Sequence, residues 1–273
     1  MLGVLLLRLR VVRGGHYSIF PGKLLHGAFF RYLSAYDAAF ADALHARAVK
    51  PFTIGFLRRR AQQDKAVPRV QDLNEAHYAT GEEVLLRVTV LDEAALAAFI
   101  HIPQGMQLEV GRLCFAVEEV VADGRGGTGI VAAEELMAAA FSMEEVMRLR
   151  FSFRSPTVFH VDDYDCAVPR PDLIFASLSD KWTAQGLPVA MDKSYVRAAA
   201  SRLIPYEWRG AGLRIRQGGR RTIPGYVGAF TFDMAQLSLE EREIIVLLAQ
   251  FAPFSGTGRL TAQGMGETTV TFL

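Results

Sequence analysis

The chain has 273 residues, of which 51% are apolar and 22% charged, so it can bury the cores of two domains. This composition excludes an intrinsically disordered chain, and the formal net charge of +1 excludes a uniformly basic nucleic-acid-binding protein. The basic residues are 25 arginines and 5 lysines, which still allows a local basic face.

Cysteine and targeting signals favour a reducing compartment. The two cysteines, Cys114 and Cys166, are too few for a disulfide framework and lie far apart in the chain. No apolar run approaches the roughly 18 residues that a membrane helix needs. The first 13 residues lack a small-residue cleavage site and do not resemble a signal peptide. We therefore expect a cytoplasmic protein with no membrane partner.

The first half of the chain alternates strand and helix patterns. Residues 3–12 predict a strand. Pro21 then opens a helix whose apolar residues recur every three or four positions to about residue 48, with an interruption near Asp37. The next predicted elements are a short strand (52–57), a polar loop (58–68), a strand pair across Thr80 and Gly81 (69–78 and 83–90), a helix (91–100) and a strand (107–121). Residues 123–129 (DGRGGTG) have the composition of a linker.

The second half repeats this order of elements. Its predicted elements are a strand (146–154), a helix after Pro171, a short helix (191–200), two strands (211–217 and 223–233), a helix (239–251) and a final strand (268–273). Ser238 and Glu241 have the spacing of a capping box before the last helix. Two copies of a β-α-β-β-α-β order predict an α+β protein with two tandem ferredoxin-like domains, residues 1–124 and 130–273.

The segment GTGRLTAQGMG is the sharpest local motif. It is neither a Walker loop nor a dinucleotide fingerprint, because no Gly-Lys-Ser/Thr follows and Thr261 stands where the fingerprint needs glycine. Glycines leave bare backbone N–H groups for an anion, and an arginine adds positive charge. A tight turn before an edge strand explains the glycines equally well. The candidate anion-binding residues of this segment are Gly256, Gly258, Arg259, Gly264 and Gly266.

The spacing G-x-G-x-x-T-x-x-G-x-G near a C-terminus resembles the glycine-rich loop of the CRISPR-associated repeat-processing endoribonucleases of the RAMP superfamily. Further segments resemble landmarks of that family in the same order: KLLHGAFFRYLSAYDAAFADALHARAVKPFT (23–53), FRSPTVF (153–159), PRPDLIFASLSDKW (169–182) and GYVGAFTF (225–232). The resemblance implies two ferredoxin-like domains and cleavage of CRISPR repeat RNA without metal or cofactor. In that reaction the ribose 2′-hydroxyl attacks the adjacent phosphate and leaves a 2′,3′-cyclic phosphate.

This cleavage needs a base for the hydroxyl, an acid for the leaving oxygen and a cation for the phosphorane charge. The resemblance implies these roles for His45, at the end of the first helix, and Lys50, before the FT strand, although a lone His45 also fits a helix cap. Some members carry a catalytic tyrosine on that helix, but the corresponding residue is Phe30, and the candidate Tyr32 lies on another face. His26 is a second candidate histidine, and its apolar neighbours also fit a position at the edge of the core.

Arginines cluster between residues 202 and 221, where Glu207 is the single acid. Arg214 and Arg216 alternate on one face of a predicted strand, and Arg220 and Arg221 follow a Gly-Gly turn. This pattern predicts a basic hairpin that contacts RNA phosphates, and it is also compatible with a merely solvated hairpin.

Acidic side chains cluster with a histidine in HVDDYDC (160–166). The segment lacks the glycine and the distal glutamate of a calcium-binding loop, so we predict no metal site.

Together these features predict a cytoplasmic, metal-independent endoribonuclease that cuts CRISPR precursor RNA within the repeat, as a monomer or a homodimer. The alternative is a protein of the same fold that holds repeat RNA without cutting it, by itself or with the subunits of a CRISPR effector complex. The phenylalanine at position 30 favours this alternative. A third alternative is an unrelated two-domain enzyme that binds a small anion at the glycine-rich segment.

Overall fold

Strands and helices alternate through both halves of the computed structural model, which describes residues 1–59, 73, 75–143, 145–217 and 222–273. The first half contains, in chain order, β1 (Leu2–Arg13), β2 (Gly15–Tyr17), α1 (Gly22–Tyr36), α2 (Ala38–Ala46), β3 (Phe52–Ile54), β4 (Arg58–Arg59), β5 (Ala76–Tyr78), β6 (Glu83–Val90), α3 (Glu93–Ile100), β7 (Gln107–Val110) and β8 (Leu113–Val121). The second half contains β9 (Gly129–Val131), α4 (Ala133–Phe141), β10 (Arg148–Thr157), β11 (Phe159–Val161), β12 (Tyr164–Cys166), α5 (Pro171–Ala184), α6 (Lys193–Ala200), β13 (Ile204–Arg216), β14 (Thr222–Asp233), α7 (Leu239–Ser255) and β15 (Thr268–Phe272).

Both main sheets have the strand order of a ferredoxin-like fold. The first sheet runs β3-β6-β1-β8, with β7 beyond β8, and the second runs β13-β14-β10-β15. In each sheet the first strand of the β-α-β-β-α-β unit lies between the third and the fourth, and these pairs are antiparallel. The predicted fold class is therefore confirmed.

Each sheet has its own apolar core, and a third cluster joins the two halves. Leu7, Phe29 and Phe99 are fully buried in the first core, while Phe151 and Trp182 are fully buried in the second. The joining cluster contains residues from both halves, among them Phe20, Phe56, Val158, Ile215 and Met265. The two halves are thus packed against each other through side chains that are distant in the sequence.

The predicted interruption of the first helix near Asp37 is confirmed. Asp37 has an extended backbone (φ −159°, ψ 110°), and its side chain accepts a hydrogen bond from the Phe40 N–H at 3.0 Å, so it caps α2. The capping box of Ser238 and Glu241 at the start of α7 is also confirmed. Within the described ranges, no helix is long and apolar enough to span a membrane.

The predicted strand pair at 69–78 and 83–90 is wrong. β5 pairs with β2, while β6 pairs with β1 and β3; residues 69–72 and 74 lie outside the described part of the chain. Arg58 and Arg59, predicted in a loop, form β4 against β6, and residues 60–68 are not described. Turn signals are local, whereas the partner of a strand is chosen by packing over the whole sheet.

Three further boundaries differ from prediction. The predicted strand 107–121 is two strands, β7 and β8, which turn at Gly111 (φ +64°). The last residue of the predicted linker 123–129 is the first residue of β9, which pairs with β1. Helix α4, which was not predicted, follows β9. β13 begins at Ile204 rather than at residue 211, because it pairs along almost the whole length of β14.

Candidate active site

A cleft of about 590 Å³ lies between the two halves of the chain. One wall comes from α1 and the carboxyl end of α2, and the other from α5, α6 and the segment 258–263. Asp180 is the single carboxylate among the described residues that line it. The cationic and histidine side chains of the lining are His26, His45, Lys50, His160, Lys181, Lys193, Arg197 and Arg259. Such a lining suits a polyanion.

His45 and Lys50 meet where α2 ends. His45 is an exposed residue in the last turn of α2, and its ring packs edge-on against Phe30 with centroids 5.1 Å apart. The Lys50 ammonium donates to the carbonyl oxygens of His45, at 2.7 Å, and of Arg47. Partial burial lowers the pKa of Lys50. Lys50 therefore caps the helix and places a cation beside the histidine.

His26 joins this pair from α1. Its Nδ1 lies 3.0 Å from the carbonyl oxygen of Ala262, and because a carbonyl only accepts, Nδ1–H is the donor. In the neutral ring Nε2 is then an acceptor. Burial is the largest effect on the pKa of His26 and lowers it, while the hydrogen bond to Ala262 raises it. The charges of Lys50 and His45 lower the pKa further. His26 is thus held neutral, in one tautomer, beside two other titratable groups.

Phe30 separates the two histidines, and Tyr32 lies elsewhere. The Phe30 ring centroid is 4.7 Å from that of His26 and 5.1 Å from that of His45. Tyr32 is partly buried, and its hydroxyl donates a 2.8 Å hydrogen bond to the carbonyl oxygen of Ala98, a residue of α3. Burial raises the pKa of Tyr32, and Tyr32 does not line the cleft. The structure therefore brings His26, His45 and Lys50 together but not Tyr32.

Most of the expected bare N–H groups of the glycine-rich segment are already bonded within the protein. The N–H groups of Gly256, Gly258 and Gly266 donate to the Ala252 carbonyl, the Ser177 hydroxyl and the Pro156 carbonyl, respectively. These three are not available to an anion, which corrects that part of the sequence interpretation. All four glycines, including Gly264, are buried, and Gly258 and Arg259 line the cleft.

Two of these glycines are required by close approaches. A Cβ on Gly258 (φ +78°) would lie 2.3 Å from the Val158 carbonyl oxygen, and a Cβ on Gly266 (φ +71°) would lie 2.1 Å from the Thr257 carbonyl oxygen. The left-handed backbone and the contact both exclude a side chain. The glycines therefore shape a tightly packed segment that carries Arg259 and Ala262 to the cleft.

Arg214 and Arg216 of the predicted basic hairpin are not among the described residues that line the cleft. Arg214 and Arg216 are exposed and alternate with buried Leu213 and Ile215, which confirms the predicted alternation. Arg216 forms an ion pair with Glu75. Arg220 and Arg221 lie outside the described residues.

The sequence analysis missed the contribution of α5. Ser177 and Lys181 line the cleft and bond the glycine-rich segment. The signal available in the sequence was a lysine four residues after a serine in a largely apolar predicted helix. In the acidic segment, Asp165 forms an ion pair with Arg259 at 2.6 Å. Over the described ranges, no group of three or more metal-ligating side chains was found.

Comparison with known proteins finds one family model and several solved structures of the same fold. The family model of the CRISPR-associated endoribonuclease Cas6 matches residues 151–268. A Cas6 product complex is 27% identical, with 99% of this chain and 100% of that chain covered and a TM-score of 0.77. The second half of the chain thus matches the Cas6 family model, and the whole chain has the fold of solved Cas6 structures. Thermus thermophilus Cas6 is 26% identical, with 99% and 98% coverage and a TM-score of 0.69.

A second Cas6 product complex, 24% identical with 99% of each chain covered and a TM-score of 0.74, shares the fold. No curated protein matches the chain by sequence.

Proposed function

We propose that this protein is a Cas6 endoribonuclease that binds CRISPR repeat RNA and cleaves the precursor transcript within the repeat, without a metal ion. The observation that carries the proposal is the meeting of His26, His45 and Lys50 in one cationic cleft. These groups supply two proton-transfer sites and one fixed charge, which is what cleavage by a neighbouring hydroxyl requires. The RNA-bound Cas6 complexes of the same fold support an RNA substrate.

In the proposed reaction the 2′-hydroxyl loses its proton to a base while its oxygen bonds to the adjacent phosphorus. The bond from phosphorus to the 5′-oxygen breaks, and the leaving oxygen takes a proton from an acid. The products are a 2′,3′-cyclic phosphate on the upstream fragment and a 5′-hydroxyl on the downstream fragment. Water is not consumed in this step, and the protons balance.

His26 is the proposed base because its Nε2 is unprotonated when Nδ1–H is bonded to Ala262. Its lowered pKa keeps that form populated at neutral pH. His45 is the proposed acid, since it is exposed at the carboxyl end of α2, where the helix dipole stabilises positive charge. Lys50, adjacent to His45, is the proposed cation for the phosphorane oxygens. No catalytic role is proposed for Tyr32.

In this proposal the first domain, residues 1–124, supplies the catalytic side chains, and the second, residues 130–273, supplies most RNA contacts. Arg259 would contact a phosphate in the cleft, presented by the segment that Gly256, Gly258, Gly264 and Gly266 shape. Arg214, Arg216, Arg220 and Arg221 would contact phosphates farther along the RNA. The oligomeric state and any effector-complex partners stay predictions.

The test is single-turnover cleavage of a labelled repeat RNA from the host's own array, with EDTA present. We expect one cut by the wild type and by His101→Ala, a control at an exposed histidine outside the cleft. We expect His45→Ala to bind the RNA and to lose cleavage by about 10²-fold or more. Binding without cleavage by the wild type would instead support a repeat-holding protein.

A further inference from the structure

Two side chains on one face of α5 form hydrogen bonds with the start of the glycine-rich segment. Ser177 and Lys181 are one helical turn apart. The Lys181 ammonium donates to the carbonyl oxygens of Ser255, at 3.1 Å, and of Gly256, at 2.7 Å. The Ser177 hydroxyl accepts from the Gly258 N–H at 3.0 Å. The two contacts fix the backbone on both sides of Thr257.

Burying the Lys181 ammonium is unfavourable for folding unless hydrogen bonds or opposite charges compensate it. The residue is only 7% exposed, and no carboxylate among the described residues lies within ion-pairing distance of it. Its partners are the last carbonyls of α7, where the helix dipole stabilises a cation. Burial lowers the pKa of Lys181 to about 7, with Asp180 opposing that shift. An apolar residue would fill the space but would leave the two carbonyls without this donor.

The segment held by Ser177 and Lys181 continues to the residue that contacts His26, the proposed base. From Gly258 the chain continues through Arg259 and a short 3₁₀ turn, Thr261–Gln263. The carbonyl of Ala262 in that turn accepts the Nδ1–H bond of His26. Lys181 on the second half and His26 on the first are thus connected through one short, tightly packed stretch of backbone.

We propose that Lys181, assisted by Ser177, is a positioning residue that holds the segment so that the Ala262 carbonyl fixes the tautomer of His26. The inference rests on the proposed function for its effect on rate, but its effect on His26 is independent of cleavage. Without these hydrogen bonds the segment moves, and His26 loses two opposing effects on its pKa. The Ala262 bond raises the pKa, and burial, the larger effect, lowers it. The pKa of His26 then moves up toward its ordinary value.

The test uses Lys181→Met and Ser177→Ala, with Lys193→Met as the control for the titration only. Lys193 also lines the cleft, but its ammonium pairs with Asp180 at 2.6 Å and does not touch the segment. The RNA-free protein carries ¹³C-labelled histidine, and NMR follows each Cε1–H signal against pH, with His26 assigned by a His26→Gln variant. Single-turnover cleavage of repeat RNA is measured on the same proteins.

We expect His26 to titrate below 6.5 in the wild type and in Lys193→Met. In Lys181→Met and Ser177→Ala the midpoint should move upward, and cleavage should fall about 10- to 100-fold for Lys181→Met and less for Ser177→Ala. If Lys181→Met fails to fold, Ser177→Ala gives the decisive titration. An unchanged His26 midpoint in every folded variant overturns the inference. A wild type that does not cut RNA contradicts the proposed function, while the titration still decides the role of Lys181.

Discussion

Glu267→Gln is expected to weaken the junction between the two halves of the protein. Glu267, on the second half, is 6% exposed, and its Oε2 lies 2.7 Å from Nη2 of Arg58 on the first half. It also faces Arg87 on β6, whose pKa is lowered by burial and by the charges of Arg58 and Arg154, with Glu267 opposing the shift. The substitution keeps the shape of the side chain but removes the negative charge that faces the guanidinium groups of Arg58 and Arg87.

The magnitude follows from burial. Removing one partner of a buried ion pair typically costs about 3–5 kcal/mol, because the remaining charge is left uncompensated. For a chain of this size that corresponds to a fall in Tm of roughly 6–20 °C. Removing an arginine at the same time relieves part of the excess charge, so Arg58→Met combined with Glu267→Gln should be less destabilising than the sum of the two single changes.

The assay is thermal unfolding followed by circular dichroism at neutral pH. Glu145→Gln is the matched control, since Glu145 is exposed and the same change there should alter the free energy of unfolding by less than about 0.5 kcal/mol. A Tm for Glu267→Gln within about 2 °C of the wild type would refute the reasoning, and so would full additivity in the double variant.

Three further predictions concern the cleft. Because burial lowers the pKa of His26 and the neutral ring is the proposed base, kcat/KM should persist below pH 6.5 and fall only as His26 gains a proton; an acid limb centred above 6.5 contradicts this assignment. Lys50→Met should slow single-turnover cleavage by about 10²-fold with a smaller effect on RNA affinity, and equal rates would exclude Lys50 from charge stabilisation. Gly258→Ala should lower the free energy of unfolding by about 1–3 kcal/mol in a denaturant titration, because Gly258 has a positive φ and a Cβ there would lie 2.3 Å from the Val158 carbonyl oxygen. Gly212→Ala is the control and should change it little, because a Cβ there meets no atom within 4 Å. Similar losses at both glycines would argue against that contact.

Local signals predicted the features that local chemistry decides. Asp37 interrupts the first helix because its side chain can cap the next one, and Ser238 and Glu241 start α7 for the same kind of reason. The repeated order of elements was enough to predict both ferredoxin-like sheets, since few topologies satisfy it.

Features that depend on distant partners could not be predicted from these signals. β5 pairs with β2 instead of β6, although Gly81 does form a turn whose N–H donates to Val11. His26 could be named as a candidate, but its tautomer depends on a carbonyl 236 residues away in the chain. Lys181 had no recognisable role until α5 packed against the end of α7.

The measurement that tests the central claim most directly compares two repeat RNAs, one all-ribose and one with a single 2′-deoxynucleotide at the scissile position. Both are incubated with the wild-type protein in EDTA, and the fragment ends are identified by mass spectrometry. Cleavage by the cleft of His26, His45 and Lys50 predicts a 2′,3′-cyclic phosphate and a 5′-hydroxyl from the all-ribose RNA, and binding without any cut for the deoxy-substituted one. Cleavage of the deoxy-substituted RNA at the same position, or a product that ends in a 3′-hydroxyl, would contradict it.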